Sequence, residues 1–212
     1  MNIKQIMENI NVEKIMRVIA LNEISGNENV ICKFSYAGGK SGYSFGRSQF
    51  DVTHNARARN FLKNIYSLNL IKLVYDNARA RNFLKNICGF SNQDMEKLLN
   101  LDKDINHLNE RLKLFRVDID KLDREHIQQM INYVANLDGL PEFENEKTFV
   151  HLVDYHNQFN LSKNGLMHNF IKSKKILKSE DILNFKLRET KWGREQPRDV
   201  KRRYNNIESN WK

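Results

Sequence analysis

Cysteine and proline are the scarcest residues of consequence in this 212-residue chain, two of each, beside nine glycines. Cys32 and Cys88 cannot build a disulfide framework or a four-ligand zinc site by themselves. They are expected as reduced thiols in a reducing compartment. So little proline and glycine excludes a collagen-like or linker-rich chain and favours long helices. No stretch approaches the ~18–20 uncharged residues that a membrane-spanning helix needs. At the N-terminus Lys4, Glu8, Glu13, Lys14 and Arg17 break every apolar run, so the core of a signal peptide is missing. The expectation is synthesis in the cytoplasm, with export or lysis required for any role outside it.

What is present is charge, mostly of one sign. Thirty-five Lys and Arg stand against 26 Asp and Glu, for a formal net charge of +9. That balance points to a polyanionic partner: nucleic acid, an anionic membrane or an anionic cell wall. The hydrophobic fraction of 40% and the charged fraction of 29% are those of an ordinary globular protein. A chain of this length can bury a substantial core as one domain, with room for two lobes.

An internal repeat is the clearest feature. Asn55–Ile65 reads NARARNFLKNI, and Asn77–Ile87 repeats all eleven residues unchanged. An identical copy in otherwise non-repetitive sequence indicates one recent tandem duplication, natural or engineered; a solenoid shows three or more diverged units. The 22-residue unit Asn55–Asp76 carries Arg57, Arg59, Lys63 and Lys72 against Asp76, so a third of the +9 excess is duplicated sequence. Either copy can fill one helical slot, and the other must be accommodated at the surface, partly strained or mobile.

Apolar spacing predicts an amphipathic helix over Asn11–Asn22 through Val12, Ile15, Met16, Ile19 and Ala20, ending near Glu23. Ser25–Gln49 is rich in glycine, serine and aromatics. It predicts a hairpin: a strand through Val30–Tyr36, a Gly38-Gly39 turn, and a return through Tyr43–Gln49. Ser91 is placed to cap a helix. Leu101, Ile105, Leu108, Leu112, Phe115, Ile119 and Leu122 alternate by four and three, which predicts one long amphipathic helix. Further helices are expected at Asp123–Ala135, Asn145–Asn157, Ser162–Lys172, Ser179–Thr190 and Pro197–Asn210. Gly139-Leu140-Pro141 is a break, and Pro197 suits a first helical turn.

Several groups invite chemistry. Glu23 closes the helix face carrying Ile15 and Ile19, and a carboxylic acid half-buried there has its charged form disfavoured, as a general acid at neutral pH requires. Tyr43–Gln49 offers hydroxyls and an amide close to backbone. His151, Asp154 and His156 suggest a metal, but their spacing does not place all three on one helical face, so a surface cluster is expected. Gly38-Gly39-Lys40-Ser41 ends like a phosphate loop but has Phe34 where that motif needs glycine. The C-terminal run Lys186–Arg203 is strongly basic, with Trp192 interleaved. It suggests a nucleic-acid-binding helix pair or a solvated helix face.

The order helix, Glu23, Gly42-Tyr43-Ser44-Phe45-Gly46-Arg47-Ser48-Gln49, then helices resembles the phage-type lysozymes (endolysins) of the lysozyme superfamily. Three separated blocks carry the resemblance: that hairpin, NARARNFLKNI with Ser91–Leu98, and Trp192-Gly193-Arg194-Glu195-Gln196-Pro197-Arg198, followed by Arg202-Arg203. Asp123–Lys178 matches only as helices. The resemblance implies a mostly helical α+β fold of two lobes with a small β-hairpin and a long central helix. A front lobe would span residues 1–100, a connecting helix 101–122, and a helical lobe 123–212, with the active cleft between lobes.

It further implies cleavage of peptidoglycan glycan strands, with Glu23 as the acid that protonates the glycosidic oxygen. Ser44 would position the attacking water, and Tyr36, Tyr43 and Gln49 would line sugar subsites. The family carries an Asp on the hairpin shortly before the hydroxyl residue, and no Asp lies between Glu23 and Ser44 here. Glu28 and Asp51 are the candidate second carboxylates. Hydrolysis and a non-hydrolytic lytic transglycosylase reaction therefore both stay open. No cofactor or metal is implied. The expected partner is the glycan strand, with the basic C-terminal segment drawn to an anionic envelope, no stable nucleic-acid partner and a monomeric state. The rival class is a non-enzymatic binder of nucleic acid or cell wall on the same fold.

Overall fold

The computed structural model describes residues 1–36, 38, 41–52 and 79–211. It is an α+β fold, mostly helical, with a small antiparallel three-stranded sheet. The chain divides into two compact units, one of Met1–Gly26 with Arg124–Lys212, the other of Asn27–Asp123. The first copy of the repeat and the first two residues of the second lie outside the described residues, as does the expectation of a strained or mobile copy. Residues 79–86 of the second copy are helical, here called α3, and bury Ala80, Phe83 and Leu84.

The first unit opens with α1, Ile3–Asn9, and α2, Val12–Ile24. Asn2 makes a capping box with Gln5, and the Asn11 side chain accepts from the Lys14 N–H, so both helices start on an asparagine. Ile15 and Ile19 of α2 are fully buried, each burial contributing roughly 1.5–3 kcal/mol. They pack in one core with Ile127, Ile131, Phe149 and Ile182. After α6, Arg116–Ala135, come β4 (Glu142–Phe143), α7 (Glu146–Phe159), α8 (Leu166–Lys172), β5 (Ile176–Leu177), α9 (Ser179–Glu189), α10 (Lys191–Glu195) and α11 (Pro197–Asn210). Every residue from Thr148 to His156 of α7 is buried, which makes it the central helix of this unit. The β4–β5 pair is parallel, with Glu142 opposite Ile176 and Phe143 opposite Leu177. Nothing in the sequence pattern foretold it.

In the second unit the expected hairpin is a three-stranded sheet, β1 Ser35–Tyr36, β2 Tyr43–Phe45 and β3 Phe50–Asp51. The first strand is shorter than predicted because Glu28–Val30 forms a 3₁₀ turn and the Lys33 N–H bonds back to the Val30 carbonyl. Phe34 and Phe45 anchor an aromatic core: their rings lie 5.8 Å apart, Phe34 meets Phe90 at 6.1 Å, and Phe45 stacks on Phe83 at 5.8 Å. Ser91 caps α4, Asn92–Leu99, in a capping box with Asp94.

The expected single helix over 101–122 is not formed. The stretch divides into α5, Asn106–Lys113, and the start of α6 at Arg116. The break lies at Leu114 and Phe115, whose N–H groups bond three residues back, to Arg111 and Leu112. Those tight i→i−3 bonds end the α-helical ladder. Five of the seven apolar positions, Ile105, Leu108, Leu112, Ile119 and Leu122, are buried, while Leu101 and Phe115 are half-buried. The break leaves Leu114 and Val117 each 80% exposed. The long helix of the chain is α6, which absorbs the segment expected to be a separate helix from Asp123.

Candidate functional site

Glu23 lies in the last turn of α2, and its side chain keeps 21% of its surface exposed. Its surroundings are not the apolar face expected. Oε1 accepts one hydrogen bond from Nδ2 of Asn157 on α7 and another from Nη2 of Arg203 on α11, both at 2.9 Å. Oε2 has no hydrogen-bond partner among the described residues. A carboxyl held through one oxygen and open at the other has its orientation fixed without its chemistry being used up.

Behind Glu23 is a buried ionic cluster. Asp154 of α7 is 1% exposed, yet Oδ1 accepts from Arg203 Nη2 at 2.6 Å and from Asn22 Nδ2 at 2.9 Å, while Oδ2 accepts from Lys186 Nζ at 3.1 Å. Burial by itself raises an aspartate pKa, but Arg203 and Lys186 overcome it and hold Asp154 below the usual carboxylate range. Burial pulls Lys186 down, with Asp154 opposing; Arg203 is raised by Asp154 and Glu23 in spite of its burial. The two buried cations each face a carboxyl group, as buried charges require.

Two sequence expectations change here. His151, Asp154 and His156 are not at the surface: they are 4%, 1% and 3% exposed. His151 is bonded to Glu208 at 2.9 Å, and His156 stacks on Tyr133 at 4.4 Å. The basic C-terminal run is not a solvated face throughout, because Lys186 and Arg203 turn inward. Elsewhere in the run Arg202 pairs with Asp199 at 2.6 Å, and Lys191 with Glu195 at 3.7 Å.

In the second unit the sheet register brings three candidates together. Ser44 stands opposite Ser35 on one side and Asp51 on the other, so the three share one face. Gln49 closes the row. Its Oε1 accepts from the hydroxyls of Ser35 and Ser44, each at 2.9 Å, while its Nε2 donates to the Gly46 carbonyl at 2.9 Å. The Gly46 carbonyl, an acceptor only, fixes which end of the amide is which. Asp51 Oδ2 accepts from the Gly42 N–H at 3.2 Å. Gln49 is thus a side-chain staple of the β2–β3 turn.

The other candidates are placed differently. Tyr36 and Tyr43 are opposite one another on the next register pair, rings 6.2 Å apart, so the pleat puts them on the face away from Ser44 and Asp51. The Tyr43 hydroxyl donates to the Asp102 carbonyl. They do not line the serine row. Glu28 is bound by arginines, Arg116 at 2.9 Å and Arg47 at 3.7 Å. Asp51 is the candidate second carboxylate that shares a face with Ser44.

Asp123, which sequence reasoning passed over, anchors the turn that carries this row. It is fully buried and accepts the N–H groups of Arg47 at 2.8 Å and Ser48 at 2.9 Å. Burial pushes its pKa up, with those two N–H groups opposing. Gly46 has φ +79°, and a Cβ there would stand 3.0 Å from the Phe50 ring and 3.3 Å from Asp123, so the turn admits only glycine without strain. Arg47 also pairs with Asp120.

Comparisons with protein-family models, with curated proteins and with solved structures give no match. No group of three or more His, Cys, Asp or Glu among the described residues is arranged to hold a metal ion. No described helix is long and apolar enough to cross a membrane.

Proposed function

We propose that the chain is a peptidoglycan-degrading glycosidase of phage-lysozyme type, with Glu23 as the general acid. The observation that carries the reading is the state of Glu23: Oε1 is fixed by Arg203 and Asn157, and Oε2 has no partner among the described residues. In the reaction Oε2 delivers a proton to the glycosidic oxygen as the sugar becomes oxocarbenium-like, and the leaving strand departs as an alcohol. Water then adds to the sugar carbon, and the proton it gives up returns to the Glu23 carboxylate, directly or through solvent, which restores the acid. The family resemblance gives the orienting of that water to Ser44 and a second carboxylate, for which Asp51 is the candidate; within the sheet Asp51 is paired with Ser44, and Gln49 holds the Ser44 hydroxyl. No cofactor enters.

A lytic transglycosylase reaction uses the same proton donor and needs no second carboxylate. Asp51 separates the two: Asp51→Asn stops hydrolysis but leaves formation of an anhydro sugar end intact. The non-enzymatic reading, a binder of nucleic acid or cell wall, leaned on the basic C-terminal run. It loses support because Lys186 and Arg203 are committed to internal carboxylates. The test is turbidity loss of purified peptidoglycan, wild type beside Glu23→Gln. Clearing by wild type alone is expected; no clearing by wild type, or equal clearing by the variant, sinks the assignment.

A further inference from the structure

We propose that Asp154 is a positioning residue for Glu23, acting through the one Arg203 guanidinium that both carboxyl groups share. The inference rests on the reading of Glu23 as the acid. One nitrogen, Arg203 Nη2, serves both carboxylates, at 2.6 Å to Asp154 and 2.9 Å to Glu23. Asp154 takes the shorter bond, and Arg203 Nε also reaches its second oxygen at 3.4 Å. Its negative charge offsets the cation beside Glu23. Asp154 in turn is fixed on every side: Asn22 donates to it from α2 and Lys186 from α9, and the Asn22 amide oxygen accepts from Asn206 of α11 at 3.0 Å.

The remaining charged groups around the cluster are already engaged. From α7, His151 is bonded to Glu208. From α11, Asp199 binds Arg202, whose guanidinium also donates to the Asn22 carbonyl at 3.0 Å. Without Asp154, Lys186 and Arg203 would lose the carboxylate buried between them, and the guanidinium that holds Glu23 would lose its own anchor. Its place within reach of the same nitrogen as Glu23 is what assigns it a role.

The experiment records the Glu23 carboxyl carbon signal by NMR at one fixed pH, with lytic kcat and KM beside it, in wild type, in Asp154→Asn and in Asp154→Asn/Lys186→Met. The double variant removes one charge of each sign, so it carries the test if the single one does not fold. In both, the Glu23 signal should move and kcat should fall about tenfold, with KM for the glycan little changed. A folded double variant whose Glu23 signal and kcat stay at wild-type values overturns the proposal. If the signal moves but wild type clears no peptidoglycan, the coupling between Asp154 and Glu23 is upheld and the lytic reading falls.

Discussion

Replacing Gly193 by alanine should destabilise the protein, although the same change in an exposed helix stabilises by about 1 kcal/mol. Gly193 is buried in α10, and its backbone conformation is one that any residue adopts. Space is what requires glycine there. A methyl group would overlap the carbonyl oxygen of Lys186 and stand 2.7 Å from its carbonyl carbon and 2.8 Å from Leu187 Cα. All three are backbone atoms of α9, so no rotamer change makes room. Ordinary carbon contacts need about 3.5 Å and the overlapping carbonyl oxygen is nearer still, so α9 and α10 would have to part by more than an ångström.

That movement pulls on the bonds joining the two helices, Thr190 Oγ1 to the Lys186 carbonyl at 2.7 Å and the Gly193 N–H to Thr190 Oγ1 at 2.8 Å. Overpacking costs roughly 1–3 kcal/mol and each lost hydrogen bond about 1. Less the propensity gain, the net is a loss of about 2–4 kcal/mol. Thermal unfolding followed by circular dichroism should then show Tm lower by roughly 4–16 °C for a chain of this size. An unchanged or higher Tm would refute the close approach of α10 to α9.

Other outcomes follow from individual contacts. Asp123→Ala strips the Arg47 and Ser48 N–H groups of their acceptor and should cost about 2–4 kcal/mol in urea unfolding; a neutral result would mean the turn is held otherwise. Gln49→Leu removes the acceptor of two serine hydroxyls and should lose about 1–2 kcal/mol, more than Ser44→Ala, in the same measurement. The depressed pKa of Asp154 stabilises the fold fully above the ordinary aspartate value of about 3.9 and is lost as pH falls below it. Stability measured from pH 5 downward should therefore drop steeply in wild type and less so in Asp154→Asn/Lys186→Met. Burial pushes the Cys88 thiol up to about 12 and raises Cys32 as well, so at pH 8 neither should react with a thiol reagent until urea unfolds the chain.

Much of the helix layout was legible because it depends on local signals. Asn11, Ser91, Asn145 and Pro197 all mark helix starts, and the apolar spacing from Ile105 to Leu122 named residues that are buried. The break at Leu114 was not legible, since a four-and-three pattern continues through a tight turn without interruption. The candidate site was visible in part. Glu23, Ser44, Gln49 and Asp51 were chosen from sequence, and register then sorted Asp51 from Glu28 and removed the tyrosines from the serine row. Asp123, Asp154 and Lys186 were misjudged for one reason. Each looks like a surface charge until the partner that neutralises it, or the N–H groups that bond it, arrive from a distant part of the chain.

That distance has a consequence in time. Glu23 and Arg203 are 180 residues apart, and the unit that holds them joins Met1–Gly26 to Arg124–Lys212, with the residues of the other unit between them in sequence. At ~5–20 residues per second, a ribosome needs on the order of 10–40 s after making Glu23 to reach the arginine that orients it. Until α11 emerges, the acid has only Asn157 of its two orienting partners and Asp154 no buried counter-charge from Arg203. A chain cut short just before that helix would still carry the residues of the sheet and its serine row, yet hold Glu23 by one partner, so the competence proposed for it arrives only with α11.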